Sequence, residues 1–446
     1  MAKYLIWTNG PSFSFDTLAS ALVNNATGEA VQAPPKEHMP PSRPSGAMLR
    51  IMLGTKCNYN CVYCSQGADK EDGLHSTLSD IDDFVENIKP FLPTIGRVEF
   101  WGGEPLVYIK FLRKLVPKMR KLLPNALFTM VSNGSLFNDE IGAFLEKYAI
   151  GYTMSHDTYG HEDTRGVDPL KNPKILESIK RWFPRISAAV VEQQGISEGD
   201  ACGVSTVLSA KCYDVLKIQE WVNSAFGQYT SVYVGPMLAV GSGSGADLKF
   251  TTTQLKELCI NGFLGGMLAP INAPYIIHEY VCGFIGNVRN KANPYDKSAM
   301  CGVTTGNMIV VDLRGNLYKC QNYVTEGAHH GNLFEEGWTA PEFNSFVNNP
   351  ACKSCPVVAL CRGGCPFITG NDFAETCEIR YWWNLGIFAA AFTRLTGYIP
   401  TRIEGEIVRP VKELIQTKHG KFETVDAVDI PMNDELIALF HQLAEQ

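Results

Sequence analysis

Residues 48–64, MLRIMLGTKCNYNCVYC, join an apolar, strand-like run to three closely spaced cysteines. Three residues separate Cys57 from Cys61 and two separate Cys61 from Cys64, with no histidine after either pair. The missing histidine excludes covalent haem attachment. A zinc site would need a fourth ligand close by, whereas iron–sulfur clusters are held by thiolates at such spacings. Three thiolates on a four-iron cluster would leave one iron open to a substrate or cofactor.

The composition is that of a folded chain with a sizeable core. Of 446 residues, 45% are hydrophobic and 19% charged, which argues against disorder. The formal charge is −7, so no basic excess indicates a nucleic-acid partner. Fourteen cysteines are too few for a disulfide scaffold, and the N-terminus has no apolar signal core. We therefore expect a cytoplasmic protein with reduced thiols and no membrane segment.

An alternation of strands and helices follows the opening stretch. Helical runs separate apolar runs that are typical of buried parallel strands. This βαβ rhythm predicts a parallel sheet or partial barrel, with the chemistry on loops at the carboxyl ends of the strands. The strands are predicted in MLRIMLGT, RVEFWGG, ALFTMVSNG, IGYTMSHD, ISAAVVEQ and SVYVGPMLAV.

The motif CNYNCVYC at 57–64 resembles the defining motif of radical S-adenosylmethionine (SAM) enzymes, in which SAM chelates the open iron of a [4Fe-4S] cluster. The resemblance extends over roughly residues 48–240 and implies a partial (β/α)6 TIM-type barrel. It implies that the segment Gly102-Gly103-Glu104-Pro105 receives the methionyl ammonium group, through a carboxylate or a carbonyl oxygen. It also implies that Ser155 and Arg165 bind the SAM carboxylate, although their spacing of ten is about two residues tighter than in the family. The cofactor-binding residues implied in this way are Tyr63, Gly102, Gly103, Glu104, Ser132, Asn133, Ser155 and Arg165.

A second cysteine framework lies downstream and resembles a SPASM domain, which carries two auxiliary [4Fe-4S] clusters in many radical SAM enzymes. The resemblance assigns an outer set to one cluster (Cys352, Cys355, Cys361 and Cys377) and an inner set to the other (Cys301, Cys320 and Cys365). The inner cluster needs a fourth ligand, and Cys282 is the nearest upstream candidate. The alternative is a pair of zinc ribbons, because Cys352 and Cys355 have zinc-knuckle spacing. We expect structural roles for the three remaining cysteines, Cys202, Cys212 and Cys259.

Four regions are expected along the chain. Residues 1–47 form an N-terminal segment with a proline-rich linker, which packs on the main body or receives a partner. Residues 48–245 form the radical SAM core, and 246–377 form the SPASM domain with its bridging segment. Residues 378–446 form a C-terminal helical extension of two or three helices that also contains a strand, TVDAV at 424–428.

The resemblance implies a maturase of a ribosomally made precursor peptide that installs a carbon–carbon, carbon–oxygen or thioether crosslink. A flavodoxin- or ferredoxin-type donor would supply its electrons. Three other functions stay open: formylglycine formation as in anaerobic sulfatase maturases, dehydrogenation of a small alcohol, and a non-catalytic iron–sulfur scaffold. Gln321 stands where the sulfatase-maturing branch has an aspartate thought to act as a base, and an amide cannot take up that proton. No catalytic residue is assigned from the sequence.

Overall fold

The computed structural model describes a mixed α/β protein. The described residues are 3–34, 46–66, 76–196, 201–228, 230–236, 248–268, 273–294, 301, 307–322, 329–335, 346, 352, 355–368, 370–410, 422–432 and 438. Most of the predicted proline-rich linker lies outside these ranges. None of the helices they contain is long and apolar enough to cross a membrane.

Fourteen strands and ten helices are formed by the described residues. The strands are β1 Lys3–Thr8, β2 Phe13–Asp16, β3 Ala21–Asn24, β4 Ala47–Met52, β5 Ile95–Trp101, β6 Leu127–Ser132, β7 Ile150–Ser155, β8 Cys202–Leu208, β9 Ser231–Pro236, β10 Met308–Asp312, β11 Asn316–Tyr318, β12 His329–Asn332, β13 Pro400–Pro410 and β14 Phe422–Asp429. The helices are α1 Asp80–Asn87, α2 Ile109–Leu122, α3 Asp139–Lys147, α4 His161–Thr164, α5 Pro173–Gln194, α6 Val215–Phe226, α7 Thr252–Met267, α8 Tyr275–Asn290, α9 Val358–Cys361 and α10 Gly370–Thr396.

The larger sheet has nine strands in the order β12-β11-β10-β4-β5-β6-β7-β8-β9. Strands β4 to β9 are parallel and follow chain order, as expected of a partial (β/α)6 barrel. Apolar side chains of these strands are buried, and Leu49, Ile51, Val98 and Phe100 are fully buried. The charged Arg50 and Glu99 are buried as well and form an ion pair. Strand β10 pairs with β4 in parallel, and β11 and β12 continue antiparallel. The expected core and SPASM regions therefore share one sheet.

The fifth parallel strand differs from its prediction. The segment ISAAVVEQ, predicted as a strand, forms the C-terminal half of helix α5, and the strand is Cys202–Leu208 instead. Helical spacing explains the error, because Ile179, Trp182, Ile186 and Val190 are all buried on one face of α5. The strand prediction rests only on the short apolar run ISAAVVEQ, which contains β-branched residues.

The two ends of the chain form a second sheet, antiparallel, in the order β14-β13-β1-β2-β3. Ile6 of β1 lies opposite Ile403 of β13. The N-terminal segment packs on the main body: the Phe15 ring centroid lies 6.0 Å from that of Phe284 on α8 and 5.5 Å from that of Phe388 on α10. One of the two alternatives left open for this segment is thereby observed.

The C-terminal region is only partly the helical extension that was predicted. Helix α10 ends at Thr396, and strands β13 and β14 follow. Strand β14 contains the predicted strand TVDAV, whereas β13 was not predicted. Pro400 cannot donate a helical hydrogen bond, and the next residues alternate, with Ile403 buried between the more exposed Arg402 and Glu404. This period of two specifies a strand.

Helices α7 and α10 lie in close contact because glycines face the partner backbone. A Cβ atom at Gly386 would lie 2.0 Å from the carbonyl oxygen of Cys259, and one at Gly262 would lie 2.9 Å from that of Trp383. Cys259 is fully buried at this contact, as the structural role expected for it requires.

Gly386→Ala should therefore lower the free energy of unfolding, by about 1–3 kcal/mol, because the added methyl group overpacks the helix contact. Gly283→Ala is the matched control: Gly283 is an exposed helical glycine with nothing within 4 Å of a Cβ atom. The control should gain about 0.5–1 kcal/mol from better helix propensity. Urea unfolding monitored by circular dichroism measures both, and equal stability of the two variants would contradict the close contact.

Candidate active site and thiol frameworks

A cavity of about 410 Å³ opens at the carboxyl ends of the parallel strands. Its volume lies in the usual range for small-molecule sites. All three thiols of the first motif line it, as do all eight predicted cofactor-binding residues: Tyr63, Gly102, Gly103, Glu104, Ser132, Asn133, Ser155 and Arg165. The sequence did not single out Gln66, Trp101, Thr206, Val207, Pro236 or Asn322, which line it too.

The loop that bears Cys57, Cys61 and Cys64 is fastened to its neighbours by backbone groups. The Val62 amide donates to the Thr164 carbonyl at 2.9 Å, and the Lys56 amide donates to the Tyr108 hydroxyl at 2.8 Å. Burial raises the pKa of the Cys61 thiol, and the nearby Cys64 and Cys57 raise it further, while the Arg165 charge opposes them. Gathered thiols of this kind ionise together only beside a cation, so they fit an iron cluster.

Two glycines let strand β5 turn closely beside this loop. The Gly103 amide donates to the Gly54 carbonyl at 3.0 Å. A Cβ atom at Gly103 would lie 2.2 Å from the Thr55 carbonyl oxygen. A side chain at Gly103 would therefore push the turn away from the thiol loop.

The carboxylate of Glu104 is buried at the cavity wall and held by three donors. The Ser132 hydroxyl and the Leu106 backbone amide donate to Oε1 at 2.7 and 2.9 Å. The Asn133 backbone amide donates to Oε2 at 2.7 Å. Burial raises the pKa of Glu104, although these hydrogen bonds oppose the rise. A carboxylate offers about four acceptor positions, so one remains for an ammonium group entering the cavity.

Asp157 organises the opposite wall, although no role was predicted for it. Its Oδ2 accepts from the Tyr63 hydroxyl at 2.5 Å and lies 3.1 Å from Nε of Arg165. Burial opposes ionisation of Asp157, but the Arg165 charge and the hydrogen bonds hold its pKa below the usual value. Asp157 thus fixes the two predicted cofactor contacts Tyr63 and Arg165. The available signal was an acidic residue within the segment Ser155–Arg165.

The two histidines of this segment are buried rather than on the surface, where lone loop histidines usually lie. His156 accepts from the Thr158 amide through Nδ1 at 2.9 Å, and its Nε2 lies 2.9 Å from Asp168. Its ring stacks on His161 and on Trp221, with centroids 4.0 and 4.9 Å away. Burial lowers the pKa of His161 to about 3, so its ring is neutral. Neither histidine is among the cavity-lining residues.

The outer set of the second framework surrounds a separate cavity. Cys352, Cys355, Cys361 and Cys377 line it, together with Cys365 of the inner set. Burial and, to a lesser extent, the nearby Cys361 raise the pKa of Cys352 to about 12. The Cys377 thiol is raised well above its usual pKa by burial and then by Cys361, Cys355 and Cys352. Because thiolates this close together repel one another, these four thiols also fit a cationic cluster that would hold them ionised.

The inner set is close enough for its members to influence one another. Burial, together with the nearby Cys365 and Cys301, raises the pKa of Cys320 to about 11. Cys282 is on helix α8, where its Sγ lies 3.4 Å from Nε2 of His278. Its role as the fourth ligand stays a prediction. Cys202 and Cys212, outside both frameworks, are buried, and burial raises the pKa of each to about 12.

The two frameworks meet at the first cavity. The Gln66 amide nitrogen, two residues after Cys64, donates to the Gln321 carbonyl at 2.5 Å. The next residue, Asn322, lines the cavity, and its backbone amide donates a hydrogen bond to the Cys320 sulfur at 3.5 Å. One short segment thus connects the inner set to the wall of the first cavity.

Asp157→Asn should lower the free energy of unfolding by about 3–5 kcal/mol, because it leaves the buried Arg165 charge without its partner. The lowered pKa means that Asp157 is charged at neutral pH, and its stabilisation is lost only as pH falls through that lowered value. Chemical denaturation at pH 7 measures the loss. The control is Asp163→Asn, at an exposed position in α4. Similar stabilities for the two variants would contradict the importance of the buried pair.

Comparison with known proteins agrees with this arrangement. Residues 51–186 match the radical SAM superfamily. The chain is 21% identical over 344 residues to the radical SAM cyclopropyl synthase TigE of Paramaledivibacter caminithermalis. The aligned residues cover 71% of this chain and 67% of that protein. It is 23% identical over 385 residues to a cysteine-type anaerobic sulfatase-maturating enzyme of Clostridium perfringens, covering 79% of this chain and 98% of the enzyme.

A solved structure has the same fold. Native anSMEcpe with bound AdoMet and the Cp18Cys peptide superimposes with a TM-score of 0.51 at 17% identity, covering 78% of this chain and 98% of that one. The strand order, the cysteine-rich C-terminal region and these similarities support a radical SAM enzyme with a SPASM-type C-terminal domain.

Proposed function

We propose that this protein is a radical SAM maturase that oxidatively crosslinks side chains of a ribosomally made precursor peptide. Cys57, Cys61 and Cys64 hold the SAM-binding cluster, and the outer and inner sets hold two auxiliary clusters, with Cys282 completing the inner set. The observation that carries the proposal is the segment 320–322, which joins an inner-set thiol to the wall of the first cavity. When bound, the first cluster reduces SAM to methionine and a 5′-deoxyadenosyl radical that removes a hydrogen atom from a substrate carbon.

In this proposal, the chain's own residues orient SAM. The free acceptor position of Glu104 receives the ammonium group, because a buried carboxylate with three fixed donors binds a cation without rearrangement. Ser155 and the Arg165 guanidinium, which Asp157 anchors, receive the carboxylate. Gly102 and Gly103 let the backbone approach the ligand.

The oxidising half of the reaction is supported by the position of Cys320. Crosslinking removes two hydrogens, and the second electron needs an acceptor near the substrate. An auxiliary cluster bound by Cys320 would lie beside the cavity wall that Asn322 forms. A flavodoxin- or ferredoxin-type protein exchanges electrons with the clusters. We also propose that the chain divides functionally at residues 47, 245 and 377.

A peptide substrate is supported by the related fold of anSMEcpe, whose structure contains a bound peptide. The sulfatase-maturating relative makes formylglycine formation the nearest alternative. It is disfavoured here because Gln321, whose Oε1 lies 3.5 Å from the Cys320 sulfur, cannot accept a proton at neutral pH. A pure electron carrier would have no use for the buried Glu104 at a small-molecule cavity.

Glu104→Gln should weaken SAM binding about tenfold to a hundredfold, because it removes a charge-assisted hydrogen bond of about 1.5–3 kcal/mol. Equilibrium binding of SAM to the anaerobically reconstituted protein measures this, with the iron content unchanged. Glu140→Gln, at an exposed position on α3, is the control. Wild-type affinity in Glu104→Gln would show that the ammonium group binds elsewhere.

The reconstituted protein should form 5′-deoxyadenosine from SAM when a reductant is added. A precursor peptide encoded beside the gene should then lose two hydrogens per crosslink, as measured by mass spectrometry. The Cys57→Ala/Cys61→Ala/Cys64→Ala variant should lose both activities and keep its auxiliary iron. Formation of 5′-deoxyadenosine without any peptide modification would favour another substrate, such as a small alcohol. Full iron with no SAM cleavage, even with candidate peptides, would leave the scaffold function.

A further inference from the structure

Arg380, on helix α10, reaches into the cavity that the outer cysteines surround. Its Nε is buried and has no hydrogen-bond partner among the described residues. None of the ion pairs formed within the described ranges includes Arg380. A buried guanidinium donor that faces a thiol-lined cavity needs an acceptor or an anion there.

Arg380 lies beside thiols of both auxiliary sets. It lines the same cavity as Cys365, in the inner set, and Cys377, in the outer set. These two cysteines come from different parts of the framework, one in the turn after α9 and one on α10. Arg380 is therefore near the boundary between the two sets.

The glycine turn between Cys361 and Cys365 makes room for this side chain. Arg362, Gly363 and Gly364 all have positive φ, at 50°, 75° and 75°. A Cβ atom at Gly364 would lie 3.8 Å from Cδ and Nε of Arg380, whereas one at Gly363 would lie 2.0 Å from Cβ of Phe346. The turn that leads to Cys365 therefore contacts Arg380 at Gly364 and Phe346 at Gly363.

We propose that Arg380 is a positioning residue that provides a fixed positive charge to both auxiliary clusters and raises their reduction potentials. The inference rests on the proposed function, because it requires that the two thiol sets hold iron clusters. Net charge and hydrogen bonds to the sulfurs set the potential of such clusters. A nearby cation favours the reduced state, which carries one more negative charge.

A positive charge at Arg380 would favour the electron transfer that crosslinking needs. Closing the crosslink releases one proton to water and one electron from the substrate radical. An auxiliary cluster held by these thiols would accept that electron, and an oxidised flavodoxin- or ferredoxin-type protein would take it on. A higher reduction potential of the auxiliary cluster makes the electron transfer from the substrate radical more favourable. That transfer is the oxidation that crosslinking requires.

The test compares Arg380→Gln, Arg380→Met and Arg380→Lys with the wild-type protein after anaerobic reconstitution. Redox titrations followed by electron paramagnetic resonance give the midpoint potentials of the auxiliary signals. The two neutral variants should shift the reduction equilibrium at least tenfold toward the oxidised state, about 59 mV for one electron. Arg380→Lys should shift it less, and the SAM-binding cluster should not change. Arg402→Gln, at an exposed position on β13, is the matched control.

Each outcome decides the role of Arg380. Loss of auxiliary iron in both neutral variants but not in Arg380→Lys also supports the charge. Unchanged auxiliary potentials in the neutral variants, equal shifts in all three variants, or loss of iron in all three would overturn it. Failure of the proposed function is separate, because it appears in the wild-type protein as missing auxiliary iron or as no peptide modification.

Discussion

The parallel pairing of β10 with β4 sets the relation between the two cysteine frameworks. Met308 lies opposite Met48 and Asp312 opposite Met52, so the two strands end at the same edge of the sheet. The thiol loop follows β4 at this edge, whereas after β10 the chain turns and runs back along β11, whose Tyr318 lies opposite Val310, before it reaches Cys320. A slip of one residue would turn every side chain of β10 to the other face and displace Cys320. The buried Val311 opposite the buried Ile51 keeps the register.

From this edge outward, the site is built from charges that the fold isolates from water. Glu104 is stabilised by a hydroxyl and two backbone amides, whereas Asp157 is stabilised by a guanidinium, a phenol and a threonine hydroxyl. One carboxylate therefore retains a free acceptor position, while the other serves to anchor its neighbours. The same physics recurs at Arg380, where a cation lies among buried thiols. Buried groups of this kind are costly unless paired, so the ligands they receive also stabilise the protein.

Much of this arrangement could be predicted from the sequence because it depends on short spacings. Three thiols within eight residues and a Gly-Gly-Glu turn after the next strand are local signals, and the lining of the first cavity contains all of those residues. The strand Cys202–Leu208 was missed because its apolar run is interrupted by glycine, serine and threonine, while a buried helix face imitated a strand. The pairing of β1 with β13, nearly 400 residues apart, has no local signal. The contacts of Asp157 with Tyr63 and of Gln66 with Gln321 were missed for the same reason, since each joins residues that are distant in the chain.

The proposed function requires that the three thiol sets hold three four-iron clusters. Anomalous diffraction from anaerobically grown crystals, recorded at the iron and zinc absorption edges, tests this claim directly. The account predicts iron at Cys57, Cys61 and Cys64, at the outer set and at the inner set, about twelve irons per chain. Zinc at either downstream set, or iron confined to the first motif, would contradict it.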